Sequence, residues 1–221
     1  MQRKIFQTGK LVMLAAAVAT PMLLVPAAQA HEVHASGRAI GVDAVVKFGT
    51  LTKTLQLANT PMSCTGSARE EIISTVSNPL PLGLSAKTVR GYAIGRDDVA
   101  ATAAGIEELH INLSNGLRVD ATALQSNAEA RCNEATFAVT TTGSSDVATL
   151  SINGQSRTIT GQPNQVIEVP GVARVVVNEQ IRPSSREIIV NALHIKLFDA
   201  ETPVNGDIVL ANSRSKITCA R

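Results

Sequence analysis

Aromatic residues are scarce in this sequence, which has no Trp, one Tyr and four Phe among 221 residues. Proteins that bind nucleic acid use clustered cations for phosphates and aromatic rings for bases, whereas the net charge here is only +2. An aromatic-lined sugar or ligand cleft is excluded on the same ground. We therefore expect no nucleic-acid partner and no aromatic binding face.

Catalytic motifs are also missing. The sequence has no GxSxG nucleophile elbow, no HExxH motif and no Gly-rich phosphate loop. The carboxylate pairs Asp97–Asp98 and Glu107–Glu108 are adjacent in sequence, so on a strand the two side chains of a pair point to opposite faces. Neither pair then makes an acid–base couple. We predict that the protein is not an enzyme.

The first thirty residues contain no acidic residue and predict a signal peptide. Three basic residues precede an apolar run from Leu11 to Val25, and Ala28–Gln29–Ala30 has the small-x-small pattern of a cleavage site. The run is interrupted by Pro21 and is shorter than the roughly 20 apolar residues of a spanning helix. We expect residues 31–221 to be a secreted domain, extracellular or periplasmic, without a transmembrane segment. This mature chain has 17 basic and 18 acidic residues, hence a net charge of −1.

Only three cysteines are present, Cys64, Cys132 and Cys219, and all follow the predicted leader. An exported chain meets oxidising conditions, in which disulfides form. The cysteines are too far apart in sequence for a CxxC metal or redox motif, so we expect a structural disulfide. Three alternative single bridges are compatible with this count, and each leaves one thiol over.

Period-two alternation and β-branched residues dominate the rest of the chain and predict an all-β fold. The sharpest local signals are two hairpin turns, Asn153–Gly154 of type I′ and Pro170–Gly171. Roughly ten short, mostly antiparallel strands in the mature chain favour a single β-sandwich. We expect a long loop or edge excursion over Ala58–Leu84, and Ala100–Leu109 is compatible with a short helix.

Two internal similarities are present. Gly37–Val45 and Gly91–Val99 are identical at six of nine positions, and Leu109–His110–Ile111 recurs as Leu193–His194–Ile195. The small residues at alternate positions of the first pair suit strands that another layer approaches closely. A duplicated half and chance recurrence are both compatible with these similarities.

Several short motifs follow one another in the second half of the chain: Arg131–Cys132, Leu150–Gly154, Pro163–Asn164, Pro170–Val172, Val177–Gln180, Val190–His194 and Gly206–Val209. In this order the chain resembles the bacterial choice-of-anchor P family, whose members are secreted or surface-displayed and have no defined biochemical activity. The resemblance implies an exported structural or interaction protein. It also implies a Cys132–Cys219 disulfide, because cysteines near both positions recur together in that family, and leaves Cys64 as the odd thiol.

Polar residues within these motifs have structural interpretations. We place Asn178–Glu179–Gln180 at the end of a strand, where its side chains satisfy a neighbouring loop or bind a partner. Asn191 falls on the same face as Leu193 and Ile195, and a buried Asn needs hydrogen-bond partners. We therefore expect Asn191 to pin a loop.

Histidine supports one alternative function. Cleavage after Ala30 makes His31 the N-terminus, and its amine and imidazole would bind copper with a third nitrogen from His34, His110 or His194. Equally, the segment from His31 is a flexible tail, and histidines in strands pack against neighbours. Our main expectation is a non-enzymatic structural or interaction protein without a cofactor. Its partner is a second copy or another envelope or extracellular protein, bound through strand edges.

Overall fold

The computed structural model describes residues 33–63, 66–78, 82–198 and 204–219, and β-strands are the regular elements of this part. In chain order the strands are β1 (Val33–Phe48), β2 (Leu51–Met62), β3 (Ala68–Asn78), β4 (Leu84–Gly95), β5 (Val99–Asn112), β6 (Arg118–Cys132), β7 (Val139–Asp146), β8 (Thr149–Ile152), β9 (Gln155–Ser156), β10 (Gln165–Val169), β11 (Ala173–Ser184), β12 (Glu187–Phe198) and β13 (Val204–Cys219).

The strands form two antiparallel sheets that pack face to face, which confirms the predicted β-sandwich. Sheet A has the order β10-β11-β12-β13-β1-β2, and sheet B has the order β3-β4-β5-β6-β8-β9, with β7 also paired to β6. The strands are more numerous and longer than expected, since β1 and β13 each have 16 residues.

One local expectation is wrong, and one of two alternatives for another segment is confirmed. The segment Ala100–Leu109 is not helical but lies in β5, because its alternate residues Ala100, Thr102 and Ala104 face the core with the period of a strand. For the segment Ala58–Leu84, the edge excursion is confirmed and the long loop is not, because the segment contains β3, the edge strand of sheet B. The Ser- and Thr-rich composition of β3 suits its mostly exposed position.

A row of backbone kinks crosses sheet A at one level. Ala58 of β2, Ala211 of β13 and Asn178 of β11 have positive φ angles of 51°, 47° and 51°. Gly41 of β1 lies between Ala58 and Ala211 in the strand register, and Ala192 of β12 lies between Ala211 and Asn178. A left-handed residue breaks the alternation of a strand, so the side chains that face the core change from odd to even positions, or the reverse, at this row.

Sheet B has the same arrangement. Thr88 of β4 and Ala123 of β6 have φ angles of 45° and 49° and lie on either side of Glu107 of β5. As a result, Glu107 and Glu108 both avoid the core, with Glu107 exposed and Glu108 half-buried. The expectation that these neighbours point to opposite faces is therefore wrong.

We call these two rows of residues, at Ala58, Ala211 and Asn178 in sheet A and at Thr88 and Ala123 in sheet B, the kink rows. They divide the interior into two halves. One half contains large aliphatic side chains, among them Leu109, Ile111, Leu193 and Ile195, all with 0% exposure. The other half contains mostly small residues, and hydroxyl groups join the two sheets there. Ser126 Oγ of β6 lies 2.7 Å from Ser213 Oγ of β13, so the sheets are close together in this half.

Glycine permits this close approach. A Cβ added to Gly91 of β4 would lie 2.5 Å from the carbonyl oxygen of Ala58 and 3.2 Å from that of Ala39. Gly91 and Ala39 belong to the two similar segments noted in the sequence, so these segments pack against each other from opposite sheets. The prediction of strands approached closely by another layer is confirmed.

A disulfide joins Cys132 at the end of β6 to Cys219 at the end of β13, with a Cα–Cα distance of 6.0 Å. This is the pair that the family resemblance implies. The bridge links sheet B to sheet A beside a small apolar cluster that includes Ala35, Met62 and Ile217. Cys64 lies outside the described residues, so its state as an odd thiol stays a prediction.

Candidate functional site

The outer face of sheet A contains a histidine between two carboxylates. His194 of β12 has Nδ1 2.6 Å from Glu179 Oε2 of β11 and Nε2 2.9 Å from Asp207 Oδ1 of β13. Leu193 and Ile195 on either side of His194 face the core, which places the imidazole on the outer face. The side chains of His194 and Glu179 are only 12% and 11% exposed, so the ion pair is largely shielded from water.

Both groups have shifted pKa values. Burial raises the pKa of Glu179, but hydrogen bonds from His194 and Asn191 and the nearby charges outweigh burial and lower this pKa to about 2. Burial lowers the pKa of His194, but hydrogen bonds to Glu179 and Asp207 outweigh burial and raise it above its usual value. The network therefore favours an imidazolium held between two carboxylates.

Asn191 belongs to this network, which corrects its predicted position. Its Nδ2 donates to Glu179 Oε2 at 2.7 Å, and its Oδ1 accepts a hydrogen bond from Asn212. Because the alternation changes at Ala192, Asn191 lies on the outer face with His194 and not on the core face of Leu193. Its partners are in neighbouring strands, so it does not pin a loop.

Sheet B presents a second histidine between carboxylates. His110 of β5 has Nδ1 2.7 Å from Asp120 Oδ1 and Nε2 2.9 Å from Glu108 Oε1. Hydrogen bonds to these carboxylates raise the pKa of His110. His110 and His194 are on the outer faces of different sheets, so the structure does not bring them together, and carboxylates occupy both ring nitrogens of each. This arrangement argues against either histidine as the third copper ligand.

His31 lies outside the described residues, so the copper site stays a prediction. His34 is in β1, paired by register with Thr218. Within the described ranges, no group of three or more His, Cys, Asp or Glu side chains is arranged to hold a metal ion.

Most other polar side chains in the centre of the outer face of sheet A bond to one another. Arg38 Nε donates to Asn59 Oδ1 at 2.8 Å, and Arg38 Nη2 donates to Gln56 Oε1 at 3.0 Å. Gln56 Nε2 in turn donates to Asp43 Oδ1 at 3.4 Å. This face uses much of its hydrogen-bonding capacity internally, so we interpret it as structural.

The outer face of sheet B is different, because a groove follows β5. The outward residues Ala101 and Ala103 of β5 are small and make a low floor, which ends at Gly105 because the side chain of Arg90 lies over that glycine. Adjoining depressions of about 400, 290 and 210 Å³ lie along it. Larger side chains form its walls, with Arg90 and Tyr92 on β4 and Gln125 and Asn127 on β6. We call Ala101, Ala103 and these four wall residues the sheet B groove.

The wall side chains of the sheet B groove are free to bind. Arg90, Tyr92, Gln125 and Asn127 make no side-chain hydrogen bond or ion pair within the described part of the chain. They supply a guanidinium, a phenol and two amides along one line. Sequence patterns did not indicate them, because what unites them is strand register and the absence of partners.

A third feature is a cavity of about 440 Å³ at one side of the sandwich, which we call the edge cavity. Its lining comes from β7, β8 and β9 of sheet B, the segment 157–161 and β11 of sheet A. Asn178 of β11 lines the edge cavity and fixes the segment 157–161. The side-chain Nδ2 of Asn178 donates to the Gly161 carbonyl at 3.2 Å, and the backbone carbonyl of Asn178 accepts a hydrogen bond from Asn164 N at 2.8 Å.

The Asn178–Glu179–Gln180 cluster is therefore in the middle of β11 and not at a strand end as predicted. Continued pairing of β11 with β12 extends the strand beyond these polar residues to Ser184. Asn178 contacts a neighbouring loop, Glu179 faces His194, and Gln180 Nε2 donates to the carbonyl of Gly143 at 3.2 Å. The three side chains thus serve structural contacts, and Gln180 Nε2 also donates to Asn178 Oδ1 at 3.1 Å.

The remaining motif residues are in turns. Asn153 and Gly154 connect β8 to β9 with φ angles of 52° and 75°, as a type I′ turn requires. Pro170 and Gly171 connect β10 to β11, where Val172 N donates to the Val169 carbonyl at 3.0 Å. These four residues shape hairpins.

Comparison with known protein families, curated proteins and solved structures finds no match for this chain. The fold defines the protein as a two-sheet antiparallel β-sandwich with a disulfide between the sheets. No helix in the described ranges is long and apolar enough to cross a membrane.

Proposed function

We propose that this protein is an exported, non-enzymatic interaction protein of the choice-of-anchor P kind that binds its partner through the sheet B groove. The observation that carries the proposal is the contrast between the centre of the outer face of sheet A and the sheet B groove. Polar side chains of sheet A largely bond to one another, whereas Arg90, Tyr92, Gln125 and Asn127 of sheet B are unpaired within the described residues. Unused donors and acceptors beside a groove are available to a partner.

The dimensions and chemistry of the groove suit an extended segment of another exported protein. Its floor from Ala101 to Gly105 is about 14 Å long at 3.4 Å per residue, which matches four or five extended residues. The amides of Gln125 and Asn127 pair well with peptide groups, and Arg90 pairs well with a carboxylate side chain. Tyr92, 37% exposed, adds an apolar surface beside them.

Retention on isolated cell envelopes tests this proposal. The oxidised mature protein is mixed with envelopes of the producing bacterium and the bound fraction is measured by co-sedimentation. We expect the double variant Arg90→Gln/Tyr92→Ala to bind at least tenfold more weakly than the wild type. The matched control on sheet A, Arg174→Gln/Phe198→Ala, also removes one arginine and one exposed aromatic residue and should bind as the wild type does.

Protease treatment of the envelopes identifies the class of partner. A protein partner predicts that retention is lost after treatment, and retention that survives would indicate a glycan and contradict the assignment. Equal binding by both double variants would exclude the sheet B groove. A strict monomer in size-exclusion chromatography with no envelope retention would contradict the interaction role itself, including pairing of copies through the edge strands β2 and β3.

A further inference from the structure

Two buried polar atoms without partners belong to residues that line the edge cavity. Ser145 of β7 is 9% exposed, and its Oγ has no hydrogen-bond partner among the described residues. Nε of Arg157, in the segment after β9, is also buried and unpartnered. Both residues line the same cavity. Burying an unpaired polar group costs free energy, so two such atoms in the lining of one cavity leave hydrogen-bonding capacity that a bound group would use once their side chains turn towards it.

The missing partner is an acceptor. A guanidinium nitrogen only donates hydrogen bonds, and a serine hydroxyl can donate its hydrogen to the same group. A carboxylate has two oxygens that accept such bonds and carries the charge that complements Arg157. A cation or a pure donor would leave Arg157 without a partner.

The rest of the lining distinguishes a carboxylate with an apolar body from a free inorganic anion. The buried side chains of Val147, Leu150 and Val177 give the cavity an apolar wall. Arg157 is the only cation among the lining residues, and the exposed carboxylate of Asp146 stands among them as well. A phosphate dianion would meet one cation, one anion and an apolar wall, which is unfavourable.

We propose that the edge cavity is a binding site for a small carboxylate with an apolar body, whose oxygens accept hydrogen bonds from Arg157 and Ser145. The cavity volume of about 440 Å³ lies within the range of small-molecule sites. The hydrogen bonds of Asn178 fix the segment 157–161, so this wall is formed before binding. This site is separate from the sheet B groove and does not depend on it.

Isothermal titration calorimetry of the oxidised protein tests the site with N-acetyl-L-leucine as the probe. We expect saturable binding, and at least tenfold weaker binding of N-acetyl-L-leucinamide, which keeps the shape and loses the charge. Inorganic phosphate should also bind at least tenfold more weakly. No binding of N-acetyl-L-leucine, or equal binding of all three compounds, would overturn the proposal.

Variants separate a role in binding from a role in folding. Arg157→Gln should weaken binding of N-acetyl-L-leucine at least tenfold, whereas Arg174→Gln, at an exposed arginine on the outer face of sheet A, should leave it unchanged. Ser145→Ala should weaken binding and leave the melting temperature of the free protein equal or higher, because it removes an unpaired buried hydroxyl. A marked fall in melting temperature for Ser145→Ala, with binding unchanged, would show a structural hydroxyl and contradict the site.

Discussion

Nδ1 of His194 lies 2.6 Å from Oε2 of Glu179, across the pair β12 and β11 and largely shielded from water. The raised pKa of His194 means that this contact stabilises the fold most fully below the unfolded pKa of about 6.5 and is lost as the pH rises through the folded value. The pKa of Glu179, about 2, has the opposite consequence, so its contribution is lost as the pH falls from about 4.5 towards 2. The network is thus most stabilising at mildly acidic pH.

Replacing His194 should remove the loss of stability that the wild type shows as the pH rises. We expect His194→Gln to lower the free energy of unfolding by about 2 kcal/mol at pH 6 and by progressively less as the pH rises through the folded pKa of His194, where the wild type loses the charged hydrogen bonds. Urea denaturation at several pH values measures the difference. His110→Gln is the matched control and should have a smaller effect, because the side chain of His110 is 49% exposed. Parallel pH profiles for the wild type and His194→Gln would contradict the prediction.

Removing the disulfide should destabilise the protein strongly. Cys132 and Cys219 are 87 positions apart, and closing a loop of that length stabilises the fold by roughly 4 kcal/mol through chain entropy. We expect Cys132→Ala/Cys219→Ala to lose about this much in urea denaturation, and Cys64→Ala to retain the stability of the wild type. Digestion of the oxidised protein followed by mass spectrometry provides an independent check. A peptide joining Cys64 to either of the others would refute the pairing.

The fold class could be predicted from sequence because it depends on local signals. Alternation in segments such as Leu109–Leu113 and the turn at Asn153–Gly154 are set by neighbouring residues. The kink rows could not be predicted, because Ala192 and Ala211 are unremarkable alanines whose backbone geometry depends on adjacent strands. One such kink inverts the face of a strand, and for this reason the sequence pattern alone places Asn191 on the core side.

The candidate sites were less predictable than the fold. Sequence motifs include both His194 and Glu179, but the contact between them depends on the register of β11 with β12. Ser145 and Arg157 carry no motif, and their significance is that each lacks a hydrogen-bond partner after folding. A missing contact is a property of the packed chain, and no local pattern in the sequence encodes it.

The close approach of the sheets makes Gly91 sensitive to substitution. A Cβ at Gly91 would lie 2.5 Å from the backbone carbonyl of Ala58, and a backbone atom cannot easily move away. We expect Gly91→Ala to cost about 1–3 kcal/mol, the usual range for overpacking. Gly105→Ala is the control, because its Cβ would meet the flexible side chain of Arg90 at 2.9 Å and should cost little. Chemical denaturation of both variants measures this, and equal losses would argue against a tight interface at Gly91.

In the kink rows, replacing an alanine by glycine should not destabilise the protein. Ala123 of β6 has a φ of 49°, a conformation that costs a residue with a Cβ roughly 1–2 kcal/mol and that glycine adopts freely. Glycine also loses more chain entropy on folding, by about 0.5–1 kcal/mol, so Ala123→Gly should be neutral or stabilising. Ala101→Gly, at an ordinary strand position of β5, has only the entropic loss and should be destabilised by about 0.5–1 kcal/mol. Urea denaturation of the two variants compares them directly. If both lose stability to the same extent, the left-handed backbone at Ala123 is wrong, and with it the change of face that places Glu107 and Glu108 together outside the core.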